Sequence, residues 1–273
     1  MVGFEIPNNS SPTAPQKQAA NLSTLIIPGV FIALVLVAGA AYFMAQSKNS
    51  QAPLTSPIAT GSGTTAGEFS FTPQKKSLHF VTSTPPHESV LAASPINIVI
   101  DFNFDLGNKS LIRVTKDSVQ YHDGQTTIDP SKLTLRQGLK PDLPDGLYTV
   151  TYDACWPDNT CHDGAFQFVI DRTKAANYQD ETGKSEVTVR MKDISFKPLS
   201  LKVSRGTKIT WVNDDTVGHY VNTDSHPAHS YFEAQNSKLI EPGKSYTVEF
   251  DKTGSFPYHC SAHTAMTAQI IVI

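Results

Sequence analysis

Short runs of alternating apolar and polar residues recur along most of this chain. "INIVIDF" (96–102), "SLIRVT" (110–115), "LTLR" (133–136), "LYTVTYD" (147–153) and "AFQFVID" (165–171) are β-branched or aromatic. Side chains two apart line one face of a strand, so each run predicts a strand with a buried face. Turn chemistry separates the runs at Asp105 to Asn108, at Asp123-Gly124 and at "KPDLPDG" (140–146). No segment between 77 and 171 has capped, sustained helical periodicity. A second series follows: "EVTVRM" (186–191), "SLKV" (200–203), "KITWVN" (208–213), "SYTVEF" (245–250), "SFPYHC" (255–260) and "AQIIVI" (268–273), with Gly206, Gly243 and Gly254 at turns. The pattern predicts an all-β protein of two β-sandwich domains. The first spans 77–171 as an antiparallel sandwich of about seven strands, and the second spans 185–273. The polar stretch between them, 172–184, reads as an inter-domain linker.

One stretch breaks the alternation. From Leu25 to Ala45 there is no charged residue, and none occurs between Lys17 and Lys48. About 20 apolar residues span a bilayer, so 22–46 predicts a transmembrane anchor after a short cytoplasmic tail, 1–21. The alternative is a cleaved signal peptide ending at Ala38-Gly39-Ala40. The apolar run continues through Tyr42, Phe43 and Met44, which favours the anchor. No Cys lies near the run, which excludes a lipoprotein. Residues 47–76 are rich in Ser, Thr, Ala, Gly and Pro and read as a flexible linker with a span on the order of 30 Å.

Composition narrows the partners. Lys+Arg is 22 against Asp+Glu 25, a net charge of −3, and no basic run is present, so nucleic acid is not an expected partner. The three cysteines are 155, 161 and 260. Cys155 and Cys161 flank the loop "CWPDNTC", which predicts a local disulfide and an oxidising, extracytoplasmic location for both sandwiches. Cys260 is left over.

Cys260 belongs to "YHCSAHTAM" (258–266), which sets a thiol, an imidazole and a thioether at three-residue intervals. Thiolate and thioether sulfur beside imidazole suit copper; zinc seldom takes Met. Two His, one Cys and a weak axial Met form a blue-copper electron-transfer set. His263 and Met266 lie in this loop; the second imidazole is expected from His219, in "WVNDDTVGHYV" after an early strand. The two loops can meet at one end of a sandwich. The predicted ligands of one copper ion are His219, Cys260, His263 and Met266. Taken one at a time, these residues read as ordinary core or surface side chains; their joint spacing carries the expectation.

"ITWVNDD", His219, "EPGKSYTVEF" and "GSFPYHCSAHTAMTAQIIV" together resemble a small cupredoxin of the plastocyanin and amicyanin kind, over Ser185 to Ile273. The resemblance implies a Greek-key sandwich, one type 1 copper, and electron passage through the ring edge of His263. Gly218 and Tyr220 stand where many relatives carry Pro before the His and Asn or Thr after it. Ser261 follows Cys260 and no His-x-His pair occurs, which excludes a trinuclear copper cluster; with no Cys at Ala262 or Thr264, a dinuclear centre is excluded too. Four protein ligands leave no open position, so no catalytic residues are assigned and the protein is not expected to be an enzyme. His259 alternates to the face opposite Cys260 and is given no metal role. His226 and His229 in "SHPAH" are read either as a secondary metal site or as solvated loop histidines.

"HFVTSTPPHESVLAASPINIVIDF" (79–102) and "LPDGLYTVTYDACWPDNTCHDGAFQFVI" resemble the opening and closing segments of CopC-type immunoglobulin-like domains. Those domains bind copper through an N-terminal His and a second His near the closing hairpin. Here Ser77 and Thr160 hold the aligned positions; a structural spacer is the expectation, with a cluster of His79, His87 and His162 as the alternative. The chain as a whole reads as a membrane-anchored, extracytoplasmic electron carrier with an unidentified redox partner. The competing reading is a copper-binding or delivery protein.

Overall fold

The computed structural model describes residues 69–273. The expected membrane span at 22–46 lies outside the described residues. Among the described residues no helix is long and apolar enough to cross a membrane.

The first sandwich contains β1 (Phe80–Thr84), β2 (Ser89–Leu91), β3 (Asn97–Phe102), β4 (Leu111–Lys116), β5 (Val119–Gln120), β6 (His122–Ile128), β7 (Thr134–Leu139), β8 (Gly146–Cys155) and β9 (Cys161–Ile170). They form two sheets, ordered β1-β3-β7-β6 and β2-β9-β8-β4-β5. Ile98, Ile100, Val114, Leu135, Val150 and Phe168 are fully buried in its core. The expected antiparallel sandwich of about seven strands is corrected in two ways: nine strands form, and β2 runs parallel to β9. The strands without an apolar alternation to announce them, β1, β5 and β6, sit at sheet edges, where little surface is buried. Asp123-Gly124, expected as a turn, lies inside β6, where the register with β7 shifts and Gly124 has φ 67°. Cys155 and Cys161 pair directly across β8 and β9, with Cα atoms 3.9 Å apart, and form a disulfide.

The stretch after β9 is ordered. Arg172–Asn177 is a 3-10 helix whose first turn is capped by the Asp171 side chain, which accepts from the Thr173 N–H at 3.0 Å. Then β10 (Gln179–Asp180) adds parallel to β13 (Ser200–Val203) at the edge of the second sandwich. The remaining strands are β11 (Glu186–Met191), β12 (Phe196–Lys197), β14 (Thr207–Asn213), β15 (Asn222–Thr223), β16 (Ser245–Phe250), β17 (Gly254–Cys260) and β18 (His263–Val272). Their sheets are ordered β10-β13-β18-β17-β15 and β12-β11-β14-β16, with β11–β14 and β13–β18 parallel. β11 alternates exposed and buried positions strictly, which sets Val187, Val189 and Met191 into the core with Trp211, Phe250 and Phe256.

The two sandwiches pack directly on one another. Val99 of β3 joins the core of the second sandwich, and Ile271 of β18 packs on Ala92 and Ala93. The Ser255 N–H donates to the Ser94 carbonyl at 2.8 Å. Gly254 makes this approach possible: its φ is 142°, and a Cβ there would lie 2.7 Å from Ile96 Cγ2 and 2.9 Å from the Ser94 oxygen. The wholly buried Tyr231 hydroxyl accepts from the Ile96 N–H at 2.8 Å and donates to the Ser255 carbonyl at 2.9 Å, so one side chain ties both units.

Candidate metal centre

β14 ends at Asn213, whose buried amide secures the loop that follows. Its Nδ2 donates to the carbonyls of Val217 and Ile240, both at 2.8 Å. The His219 backbone then exchanges hydrogen bonds with Ile240 at 3.1 and 2.8 Å, which fixes His219 as a fully buried residue. Its Nε2 lies 2.9 Å from Asp215 Oδ2. Asp215 also accepts the backbone N–H groups of Asp193 at 2.7 Å and Ile194 at 3.0 Å. Burial pushes the Asp215 carboxyl up, but these two N–H donors and His219 outweigh it and hold the group below its ordinary 3.8. With Nε2–H donating to this carboxylate, the lone pair of His219 is on Nδ1.

That Nδ1 faces Cys260 Sγ at 3.7 Å. Cys260 ends β17, is fully buried and is a free thiol. Ser261 and Ala262 reverse the chain, so His263 opens β18 opposite Cys260 with its Nδ1 3.4 Å from the same sulfur. The rings of His219 and His263 have centroids 4.8 Å apart. Met266, three residues along β18, is buried in the core cluster that also contains Cys260. The Tyr220 N–H donates to Cys260 Sγ at 3.3 Å, so the backbone supplies a hydrogen bond to the sulfur although no Asn or Thr side chain follows His219.

These residues fit a metal ion. Bonds of about 2.3 Å to sulfur and about 2.0–2.1 Å to nitrogen set S and N about 3.6–3.8 Å apart between tetrahedral and trigonal angles. The observed 3.7 Å falls within that range and 3.4 Å lies just below it. A buried thiol with two imidazoles, one buried and one half-buried, is a donor set of the kind that suits copper.

The described residues bring three or more such donor groups together in one further place: His226, His229 and His259. His259 does alternate to the face opposite Cys260, as its position predicts, but there it meets the loop between β15 and β16. Its Nδ1 lies 3.0 Å from Asp224 Oδ1. Burial first, and then the neighbouring His259 and His226, lower the His229 imidazole to about 4 against the pull of Asp224. The strand period located the face; it carried no sign of which loop crosses there.

In the first sandwich, His79, His87 and His162 do not form one three-donor group. His79 and His162 pack on Trp156, with centroids 5.7 and 4.8 Å from its ring, and His79 Nδ1 is 2.7 Å from Asn103 Oδ1. His87 Nδ1 instead accepts the Gln167 N–H at 3.1 Å.

Residues 183–273 match the family model of copper binding proteins, plastocyanin/azurin family, and residues 80–171 match the CopC domain. A plastocyanin of Scenedesmus fuscus is 33% identical over 72 residues, covering 25% of this chain and 74% of that protein. Amicyanin-alpha of Methylorubrum extorquens is 22% identical over 92 residues, covering 34% of this chain and 76% of its own. Among solved structures, a reduced amicyanin variant aligns with a TM-score of 0.30 at 20% identity, over 34% of this chain and 87% of that one.

Proposed function

The chain belongs to the plastocyanin/azurin family of copper-binding proteins through residues 183–273, and from that premise we propose that it carries single electrons outside the cytoplasmic membrane. His219, Cys260, His263 and Met266 hold one copper ion in this reading. When bound, the ion supplies a one-electron Cu(I)/Cu(II) couple. The protein's part is to keep the donor set fixed while the charge changes. Asp215 holds the His219 ring in one tautomer and one orientation. The Tyr220 N–H and the full burial of Cys260 shield the sulfur from water. The half-buried His263 is the ring through which an electron enters or leaves.

The observation that supports this reading is the convergence of two imidazole Nδ1 atoms on one buried, unpaired thiol, at 3.4 and 3.7 Å. With four ligands no position is left for substrate, so the site is a carrier and not a catalyst. The apolar stretch at 22–46 anchors the chain, and the linker at 47–76 holds the sandwiches near the membrane's outer face. The test is the visible spectrum of the copper-loaded full chain. An intense band in the oxidised protein, bleached by reductant and absent in Cys260→Ala, is the expected result. A colourless copper-loaded protein refutes it.

A further inference from the structure

We propose that His226, His229 and His259 hold a second transition-metal ion, one residue along β17 from Cys260 and on the opposite face of the strand. His226 Nδ1 and His229 Nε2 are 3.2 Å apart, as are His229 Nε2 and His259 Nε2, and all three atoms lie within 4.8 Å of one another. Ring nitrogens about 2.0–2.1 Å from a tetrahedral ion stand about 3.3 Å from each other, so the two pairs that share His229 already have the spacing of a first coordination sphere.

Hydrogen bonding alone leaves this arrangement unexplained. A ring nitrogen offers one proton or one lone pair. His229 Nε2 faces three partners: His226 Nδ1, His259 Nε2 and, at 3.1 Å, Ser261 Oγ. A single proton there cannot serve both neighbouring nitrogens, whereas one cation takes all three lone pairs. The outer contacts point the same way. Asp224 accepts from His259 Nδ1 at 3.0 Å, which leaves the lone pair of His259 on the nitrogen that faces the cluster. His229 has φ 48°, a backbone conformation uncommon for a residue with a Cβ.

The loop that carries two of the ligands is also fastened from outside. Ser225 hydrogen-bonds to Asp101, and Arg136 donates to the carbonyls of Ser230 and Tyr231, so the first sandwich grips the loop on either side of His226 and His229. An all-imidazole set suits copper(II), nickel(II) and zinc(II), with copper held most tightly in the divalent series. Three protein donors leave one position for water or a small anion, and His226 is exposed, so that position opens to solvent.

The test titrates the metal-free full chain, in mild detergent, with copper(II) and counts bound metal after desalting. Two coppers per chain are expected for the wild type. The double variant His226→Ala/His229→Asn is expected to lose one equivalent while keeping the intense visible band; Asn tolerates the left-handed backbone at 229. Equal copper in wild type and double variant overturns the proposal, as does a wild type that holds one copper only. The Cys260→Ala/His219→Ala/His263→Ala variant, which removes both imidazoles and the thiol of the first centre, supplies an independent readout. Its residual copper is expected to give an EPR spectrum with nitrogen couplings from imidazoles, and a spectrum without them also overturns the proposal. Failure of the electron-carrier reading shows separately, as a missing visible band in a chain that still binds copper.

Discussion

Asp215 gives a sharp test of the proposed centre at Cys260, because its side chain bonds to one of the four proposed ligands, His219. Its Oδ2 accepts from His219 Nε2 at 2.9 Å and from the Ile194 N–H at 3.0 Å, while Oδ1 accepts the Asp193 N–H at 2.7 Å. In Asp215→Asn the amide oxygen can replace Oδ2 and keep the bond to His219. What is lost at His219 is the charge; the amide NH2 in the place of Oδ1 also gives up the bond from the Asp193 N–H, away from the metal ligand. A hydrogen bond to a charged group contributes about 1.5–3 kcal/mol and a neutral one about 0.5–1.5, so the loss is about 1–1.5 kcal/mol, or roughly tenfold in copper affinity. Asp215→Ala removes the acceptor altogether and frees the ring to rotate. Its expected loss is nearer the upper end of the 10–100-fold range, about 2.7 kcal/mol, seen when such supporting groups are removed. Equilibrium competition against a chelator of known copper affinity measures both, with near-ultraviolet circular dichroism to confirm the fold. A ranking of wild type, then Asn, then Ala is expected. An Ala variant within twofold of wild type, with its fold intact, would refute the claim that Asp215 positions His219.

Three further outcomes are expected. Burial raises the Asp101 carboxyl, against the bond from Thr134, so the folded state binds its proton more tightly than the unfolded chain does. Asp101 therefore favours folding fully below its ordinary 3.8 and loses that contribution as pH rises through the raised value; Asp101→Asn should be the more stable protein at pH 7 and lose that advantage in acid, read from urea midpoints at both. Replacing Cys155 and Cys161 by Ser opens a short loop and should cost about 2 kcal/mol, lowering Tm by roughly 4–8 °C in a thermal scan. Tyr231→Phe strands the Ile96 N–H and one acceptor site of the Ser255 carbonyl, and should lower the urea midpoint by about 1 M for a loss of about 2–4 kcal/mol; an unchanged midpoint refutes the hydroxyl's role as a tie.

Much of this architecture is legible in the chain because burial is periodic. β11 and β14 alternate along their lengths, and β3, β8 and β9 carry enough β-branched and aromatic residues to mark themselves. β6, "HDGQTTI", is not legible: it is a bulged edge strand with no buried residue, so its formation depends on the backbone of β7 and not on its own side chains. β10 hides in a polar segment for the same reason, since two residues pair with β13 and bury nothing. Cys260, His263 and Met266 are legible because one turn and one strand set their spacing. The meeting of His259 with His226 and His229 is not, because the loop between β15 and β16 takes its position partly from Asp101 and Arg136, more than 90 residues earlier.

That grip has a consequence for how the molecule would respond to a cation bound at this loop. Among the described residues the CopC-like sandwich brings no three metal donors together, yet it restrains the loop of its neighbour. By mutual linkage, any cation that prefers the restrained loop must also reinforce the sandwich that restrains it. The chain has two tryptophans, Trp156 in the first sandwich and Trp211 in the second, so each half has its own fluorescent reporter. Copper captured in the C-terminal half should therefore delay the melting seen by Trp156, and a cut through Arg136 should uncouple the two signals.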